Sequence, residues 1–323
     1  MASIGAAGPK RSTTTPTEAA GASVLPATFR VASLDASFAV EYGLWLVALF
    51  PFLLPWAAWH AARGTLVEAL FPASWEADFV ARLAATGGLW LSSYGLAFCV
   101  YRGARCFSRG RAAKYDPRVP GWRFVAGEAL RSAGGIAVLA AMQVAVAARA
   151  RGAAGAAAVP PGPRLAAGAA VVALWADFHF YATHRLLHTP ALFRAIHKTH
   201  HRSHNVDPFS GLSMHPLEHL LYFSALLLPG APLWVTNLIS IAMVVNPIPA
   251  HLGYGPLDRH HWDHHTRFNW NFGSSMLWDV LLGTAAPKRG ASLSAAAAAR
   301  AAEARNQRAL CVGGADDLMV KDS

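Results

Sequence analysis

Residues 165–188 read LAAGAAVVALWADFHFYATHRLLH. A largely apolar run, Leu165–Thr183, leads straight into two histidines four residues apart, His184 and His188. Crossing a bilayer's hydrocarbon core as a helix takes about 20 mainly apolar residues. Residues four apart lie on one face of that helix. The stretch therefore predicts a membrane helix that carries two imidazoles to the boundary between lipid and water.

Working outward, three more runs read as spans: Ala39–Trp59, Ala84–Tyr101 and Glu128–Ala148. A fifth apolar region, Leu217–Ile248, is split by Pro229-Gly230-Ala231-Pro232, and its 32 residues are too few for two full spans. It reads as a re-entrant helical hairpin or as two tilted short helices. Composition agrees: mean hydropathy is +0.29, 54% of the 323 residues are hydrophobic and 14% are charged. Water-facing domains carry about 25% charged residues. The expected fold is all-α: a polytopic integral membrane protein with about four transmembrane helices, the re-entrant hairpin and a cytoplasmic histidine-rich helical cap.

The net charge of +10 gathers in the loop after the second span, where Arg102, Arg105, Arg109, Arg111, Lys114, Arg118 and Arg123 face one acid, Asp116. Basic loops between spans mark the cytoplasmic side. This charge thus speaks for orientation in a bilayer and against a nucleic acid partner. Residues 1–35 read as a disordered tail, with a plastid or mitochondrial transit peptide as the alternative. Residues 36–164 hold spans and the basic loop, 165–284 the catalytic region, and 285–323 an alanine-rich tail. Cys99, Cys106 and Cys311 have no framework spacing, which gives no sign of disulfides or an iron–sulfur cluster.

Fourteen of the fifteen histidines fall between His179 and His265. Three boxes stand out: His184-x-x-x-His188, His197-x-x-His200-His201 and His261-x-x-His264-His265. At these spacings each box can aim two or three imidazoles at a common point. The eight imidazoles exceed the four that a tetrahedral zinc takes, so they suit two metals with open positions. Imidazole serves zinc, copper, iron and nickel alike, and ligand type alone does not name the metal. His60, His179 and His204 read as ordinary core or surface histidines. Two other readings compete. His215-Pro-Leu-Glu218-His219 matches the H-x-x-E-H pattern of a zinc metallopeptidase. A non-catalytic metal transporter is the second, although it calls for ionisable residues inside several spans.

The run Asp177-Phe-His-Phe-Tyr181-Ala-Thr-His184-Arg-Leu-Leu-His188, the second box, and His261-Trp-Asp-His264-His265-Thr-Arg-Phe-Asn269-Trp-Asn-Phe-Gly273 through Trp278-Asp279 to Gly283-Thr284 resemble the sterol desaturase and fatty acid hydroxylase superfamily. That resemblance implies O2-dependent hydroxylation or desaturation of a sterol or fatty acyl lipid at two Fe ions. It also implies electrons from cytochrome b5 or another external donor, and residence in the endoplasmic reticulum. No His-Pro-Gly-Gly haem motif occurs in the sequence, so the donor is expected to be a separate protein. Carried onto this chain, the ligands are His184, His188, His197, His200, His201, His261, His264 and His265. His251 resembles a further family histidine, while His215 and His219 are ligand, outer-donor or entrance candidates. Asp177, Glu218, Asp263 and Asp279 are the carboxylates placed to orient ligand imidazoles. His260, next to His261, leaves the register of the third box open.

Overall fold

The computed structural model describes residues 75–107, 120–152, 163–229, 231–253, 259–287, 298 and 300–305. The first expected span, Ala39–Trp59, lies outside them, as do the N-terminal tail and most of the basic loop. The described elements are helices. Three are long: α1 (Trp75–Phe107), α2 (Trp122–Gly152) and α3 (Pro163–Leu187). After α3 come α4 (Pro190–Ala195), 3-10 helices at His197–Arg202 and Pro208–Leu212, α5 (Pro216–Phe223), and a 3-10 turn at Ser224–Leu227. The chain then forms α6 (Leu233–Val245), α7 (Pro247–Ala250), α8 (Arg259–Arg267) and α9 (Leu277–Leu281).

Among the described residues, three segments are long and apolar enough to cross a membrane: Trp75–Tyr101, Trp122–Arg149 and Leu233–Ala250. On the first two, several large apolar side chains point outward. Leu91, Leu96, Val100 and Leu130 are exposed, which in water would be an unusually large apolar patch and in lipid is a solvated surface. The span read at Leu165–Thr183 is helical as part of α3, but it is not among the three. Of the two readings, the structure shows Leu217–Ile248 as two short helices, α5 and α6. Its second half forms, with α7, an apolar segment of 18 residues. Its first half is the short α5, whose inner face buries Glu218 and His219.

The core gathers Trp90 and Tyr94 of α1, Ile136 and Leu139 of α2, Phe223 of α5 and Ile239 of α6. Polar bonds fix the helices to one another. Thr86 of α1 donates to Gln143 of α2 at 3.2 Å, a bond that has no competition from water inside a membrane. On α2, Glu128, Arg131 and Ser132 follow the i, i+3, i+4 rule and present one polar face. Ser203 donates to Glu128, Arg131 Nε donates to Ser213 Oγ at 2.9 Å, and Ser132 donates to the Phe209 carbonyl at 2.8 Å. This face grips the chain just after the second histidine box. Phe209 is further enclosed by the α1 rings of Trp90, Tyr94 and Phe98 at 5.4–6.1 Å.

Candidate metal centre

The histidine boxes end up on three different kinds of backbone. His184 closes the last turn of α3 and His188 follows it. Pro190 then starts α4 at its first helical position, where a missing N–H costs nothing. The second box winds as a 3-10 helix and the third lies on α8. Between them, α7 ends at His251.

Nine imidazoles converge from these elements, all buried, in two groups. His184, His188, His197, His201 and His264 form one; His200, His251, His261 and His265 form the other. Within each group the candidate ligand atoms lie within 4.8 Å of one another. The two H-x-x-H-H boxes divide in the same way. The outer pair of each box shares a group, with Nε2 atoms 3.1 Å apart for His197–His201 and for His261–His265. The middle histidine crosses over, so that His200 joins the group of His261 and His264 joins the group of His197. The second box is a 3-10 helix and the third an α-helix, so the division follows from how the two elements face each other rather than from one common periodicity. Two boxes facing each other therefore interlock around two centres.

The chemistry of the ring nitrogens indicates what these centres hold. Nδ1 of His184 donates to the Phe272 carbonyl at 2.7 Å, and Nδ1 of His264 to the Trp270 carbonyl at 2.7 Å. Nδ1 of His251 donates to the Pro247 carbonyl at 2.8 Å, and Nδ1 of His197 bonds to Glu218 Oε1 at 2.7 Å. A neutral imidazole has one N–H, so the Nε2 atoms of these four carry lone pairs. Yet His184 and His197 bring Nε2 atoms to 3.1 Å, and His264 and His251 approach His201 and His261 at 3.1 and 3.2 Å. So many imidazole nitrogens turned toward one another form a donor set that a cation between them would satisfy. The nine imidazoles fall into two donor sets, and these residues would hold two ions.

Burial sets the protonation state. Loss of solvent, followed by the charges of neighbouring imidazoles, pushes His188, His197, His200, His201, His261, His264 and His265 well below the usual histidine range. Burial likewise lowers His184 and His251 to about 4. Neutral imidazole is the form that binds metal. Aromatic walls close the cage: Phe268 stacks on His201 at 4.7 Å, Phe193 lies 5.3 Å from His188, and Phe272 lies 5.1 Å from His188.

The segment after the third box is an outer frame that sequence reasoning did not resolve. Phe268 and Asn271 have φ of 62° and 58°, left-handed values that cost a residue with a β-carbon about 1–2 kcal/mol. They turn the Trp270 and Phe272 carbonyls onto His264 and His184. The carboxylate of Asp279 then holds this loop, accepting from Phe272 N at 2.8 Å, Gly273 N at 2.7 Å and Thr284 Oγ1 at 2.7 Å. Gly273 has no room for a side chain, since a Cβ there would lie 2.2 Å from the Ser275 carbonyl oxygen. The family stretch Asn269–Gly273 was legible as a motif, but nothing in its spacing revealed this role.

Other expected residues lie elsewhere. Asp177 binds Ser274 Oγ at 2.6 Å and Ser275 N at 2.9 Å, away from the imidazoles. Asp263 pairs with Arg267 at 4.0 Å on the same helix. His260 sits beside Gly273 O and Asp279 Oδ2, at 3.3 and 3.4 Å, and is in neither group. His215 and His219 are also in neither. Nδ1 of His215 accepts from Leu217 N at 3.2 Å as the cap of α5, and His219 Nε2 donates to the Leu212 carbonyl at 3.0 Å. The metallopeptidase pattern needs both on one ion, and this geometry does not supply that. His60 lies outside the described residues.

Comparison with known proteins points the same way. Residues 169–284 match the fatty acid hydroxylase family model. A Delta(7)-sterol 5(6)-desaturase of Eremothecium gossypii is 31% identical over 133 residues, covering 38% of each chain. Fatty acid hydroxylase domain-containing protein 2 of Homo sapiens is 34% identical over 125 residues, covering 36% of this chain and 37% of that one. A fatty acid hydroxylase of Mycosarcoma maydis is 34% identical over 140 residues, covering 39% of this chain and 35% of that one. The matched segment thus spans under two fifths of these relatives' own lengths. No solved structure gives a significant match. Residues 169–284, which hold all nine converging histidines, are thus similar to the sterol desaturases and fatty acid hydroxylases.

Proposed function

We propose that the chain is a membrane-bound di-iron oxidoreductase that uses O2 to hydroxylate or desaturate a sterol or fatty acyl lipid. The observation that carries this reading is the pair of buried imidazole groups, five and four strong, whose converging ring nitrogens suit two cations. Two bound irons would supply the redox chemistry that activates O2; the fold supplies position and dryness. The chain's own part is to keep nine imidazoles neutral and aimed. The Phe272, Trp270 and Pro247 carbonyls fix three of the rings, and Phe193, Phe268 and Phe272 exclude water from the cage. His184, His188, His197, His201 and His264 would hold one iron; His200, His251, His261 and His265 would hold the other.

The lipid would come from the bilayer, along the apolar region Leu217–Ile248. Leu217 and Leu220 are exposed on α5 while Glu218 is buried behind them, so that one short helix faces lipid on one side and the metal cage on the other. Both outcomes consume one O2, two electrons and two protons. Hydroxylation turns C–H into C–OH and releases one water, while desaturation removes two hydrogens and releases two waters. The electrons would come from a separate carrier such as cytochrome b5, with the cage on the cytoplasmic face of the endoplasmic reticulum. Lipidomics of cells with and without the protein, grown under 18O2, tests the reading. A lipid that gains labelled oxygen marks a hydroxylase, and one that loses two hydrogens without label marks a desaturase. An unchanged lipidome would refute the assignment.

A further inference from the structure

We infer that Glu218 is the positioning residue for His197, and that the segment His215-Pro216-Leu217-Glu218-His219 exists to deliver it. The inference rests on the two-iron reading and deepens it. Glu218 Oε1 lies 2.7 Å from His197 Nδ1, and both side chains are fully buried. The other candidate carboxylates are engaged elsewhere: Asp177 with serines, Asp263 with Arg267, and Asp279 with the Phe272–Gly273 backbone. Among the described hydrogen bonds, Glu218 is thus the carboxylate that touches an imidazole of either group. Its second oxygen is buried, and the carboxyl also interacts with the His215 backbone at the start of its own helix.

The histidines on either side explain how Glu218 is held. His215 caps the first turn of α5 with its Nδ1, and Pro216 occupies the first helical position. One turn on, His219 bolts the helix to the Leu212 carbonyl. Gly135 of α2 lies directly beneath, where a Cβ would fall 2.1 Å from His219 Nε2. The helix is therefore pinned at its start and against α2, and Glu218 has one direction left, toward His197. A pattern that reads as a peptidase motif is instead a mount. The consequence is an asymmetry between the two centres. A carboxylate behind a ligating imidazole fixes its tautomer and raises its donor strength. The five-imidazole position has such a partner; the bonds described for the four-imidazole rings run to backbone groups, Pro247 behind His251 and Ser213 beside His200. The iron held by His197 would accordingly favour its more oxidised state relative to its neighbour.

The test uses the full chain in detergent micelles, stripped of metal and titrated with ferrous iron against a competing chelator. Wild type should take up two ions. Glu218→Ala should weaken one of the two by about 10–100-fold, the usual cost of losing an outer partner of a metal ligand. Glu218→Gln keeps an oxygen for the His197 N–H, so uptake should return to near the wild-type value. Its lost charge should show as a higher reduction potential for one iron, read by EPR during a redox titration. A side chain that only filled space would not separate these readouts. Wild-type affinity at both sites in Glu218→Ala, or no recovery in Glu218→Gln, would overturn the inference. If Glu218→Ala cannot be isolated folded, Glu218→Asp decides: drawing the carboxylate back by one methylene should weaken one ion, and unchanged affinity refutes the role. Fewer than two ions in the wild type would instead refute the two-iron reading itself.

Discussion

Replacing Asp279 with Ala should release a metal-ligand scaffold that this residue does not itself touch. Its carboxylate accepts three hydrogen bonds at 2.7–2.8 Å, from Phe272 N, Gly273 N and Thr284 Oγ1, and it is fully buried. Hydrogen bonds to a charged group contribute about 1.5–3 kcal/mol each, and a donor left buried without a partner adds a further desolvation cost. Three such bonds come to roughly 5 kcal/mol even at the low end of that range. That is comparable with the whole stability of a small domain, about 5–15 kcal/mol. The left-handed turns at Phe268 and Asn271 would lose their restraint, and the Phe272 carbonyl would swing away from His184. Asp279→Ala should therefore melt at a markedly lower temperature in detergent and hold iron more weakly. Asp279→Asn keeps one acceptor but opposes an amide N–H to a backbone N–H, so it should fall between. The assay is a thermal melt monitored alongside iron content of the same sample. A variant with the wild-type midpoint and full iron would refute the scaffold argument.

Three further perturbations bear on the same cage. Phe268→Ala removes the ring stacked on His201 while keeping the left-handed strain, and should cost about 3–5 kcal/mol; a melt within error of wild type would contradict the packing described. His200→Ala and His264→Ala each take one imidazole from a different group, and both should abolish lipid oxidation and lower iron content, so retained turnover in either counts against the ligand assignment. His215→Asn should preserve iron binding, because asparagine also caps a helix start well; loss of a metal ion in this variant would return His215 to the ligand set.

The sequence made some layers of this structure plain and left others hidden for identifiable reasons. Apolar runs located α1, α2 and α3, because a helix in lipid must be apolar over its whole length. Leu217–Ile248 left two readings open for the same reason. Run length could not reveal that Glu218 and His219 face inward, which leaves α5 a short surface helix and gives the bilayer length to Leu233–Ala250. The spacing of the boxes allowed each to aim two or three imidazoles at a common point. It could not show that His200 and His264 exchange groups, since that depends on how the 3-10 helix and α8 face each other. His251 stands alone in the sequence with no spacing signal. It enters the four-imidazole group only because α7 ends against His261. The Trp270 and Phe272 carbonyls were invisible for a simpler reason: backbone groups carry no sequence signature beyond the turn that aims them.

X-ray absorption at the iron edge, combined with metal analysis of the purified full chain, tests the central claim most directly. Two irons per chain, each surrounded by imidazole nitrogens at about 2.1 Å, is the predicted result. A single tetrahedral zinc, or a folded protein that takes up no iron, would contradict it.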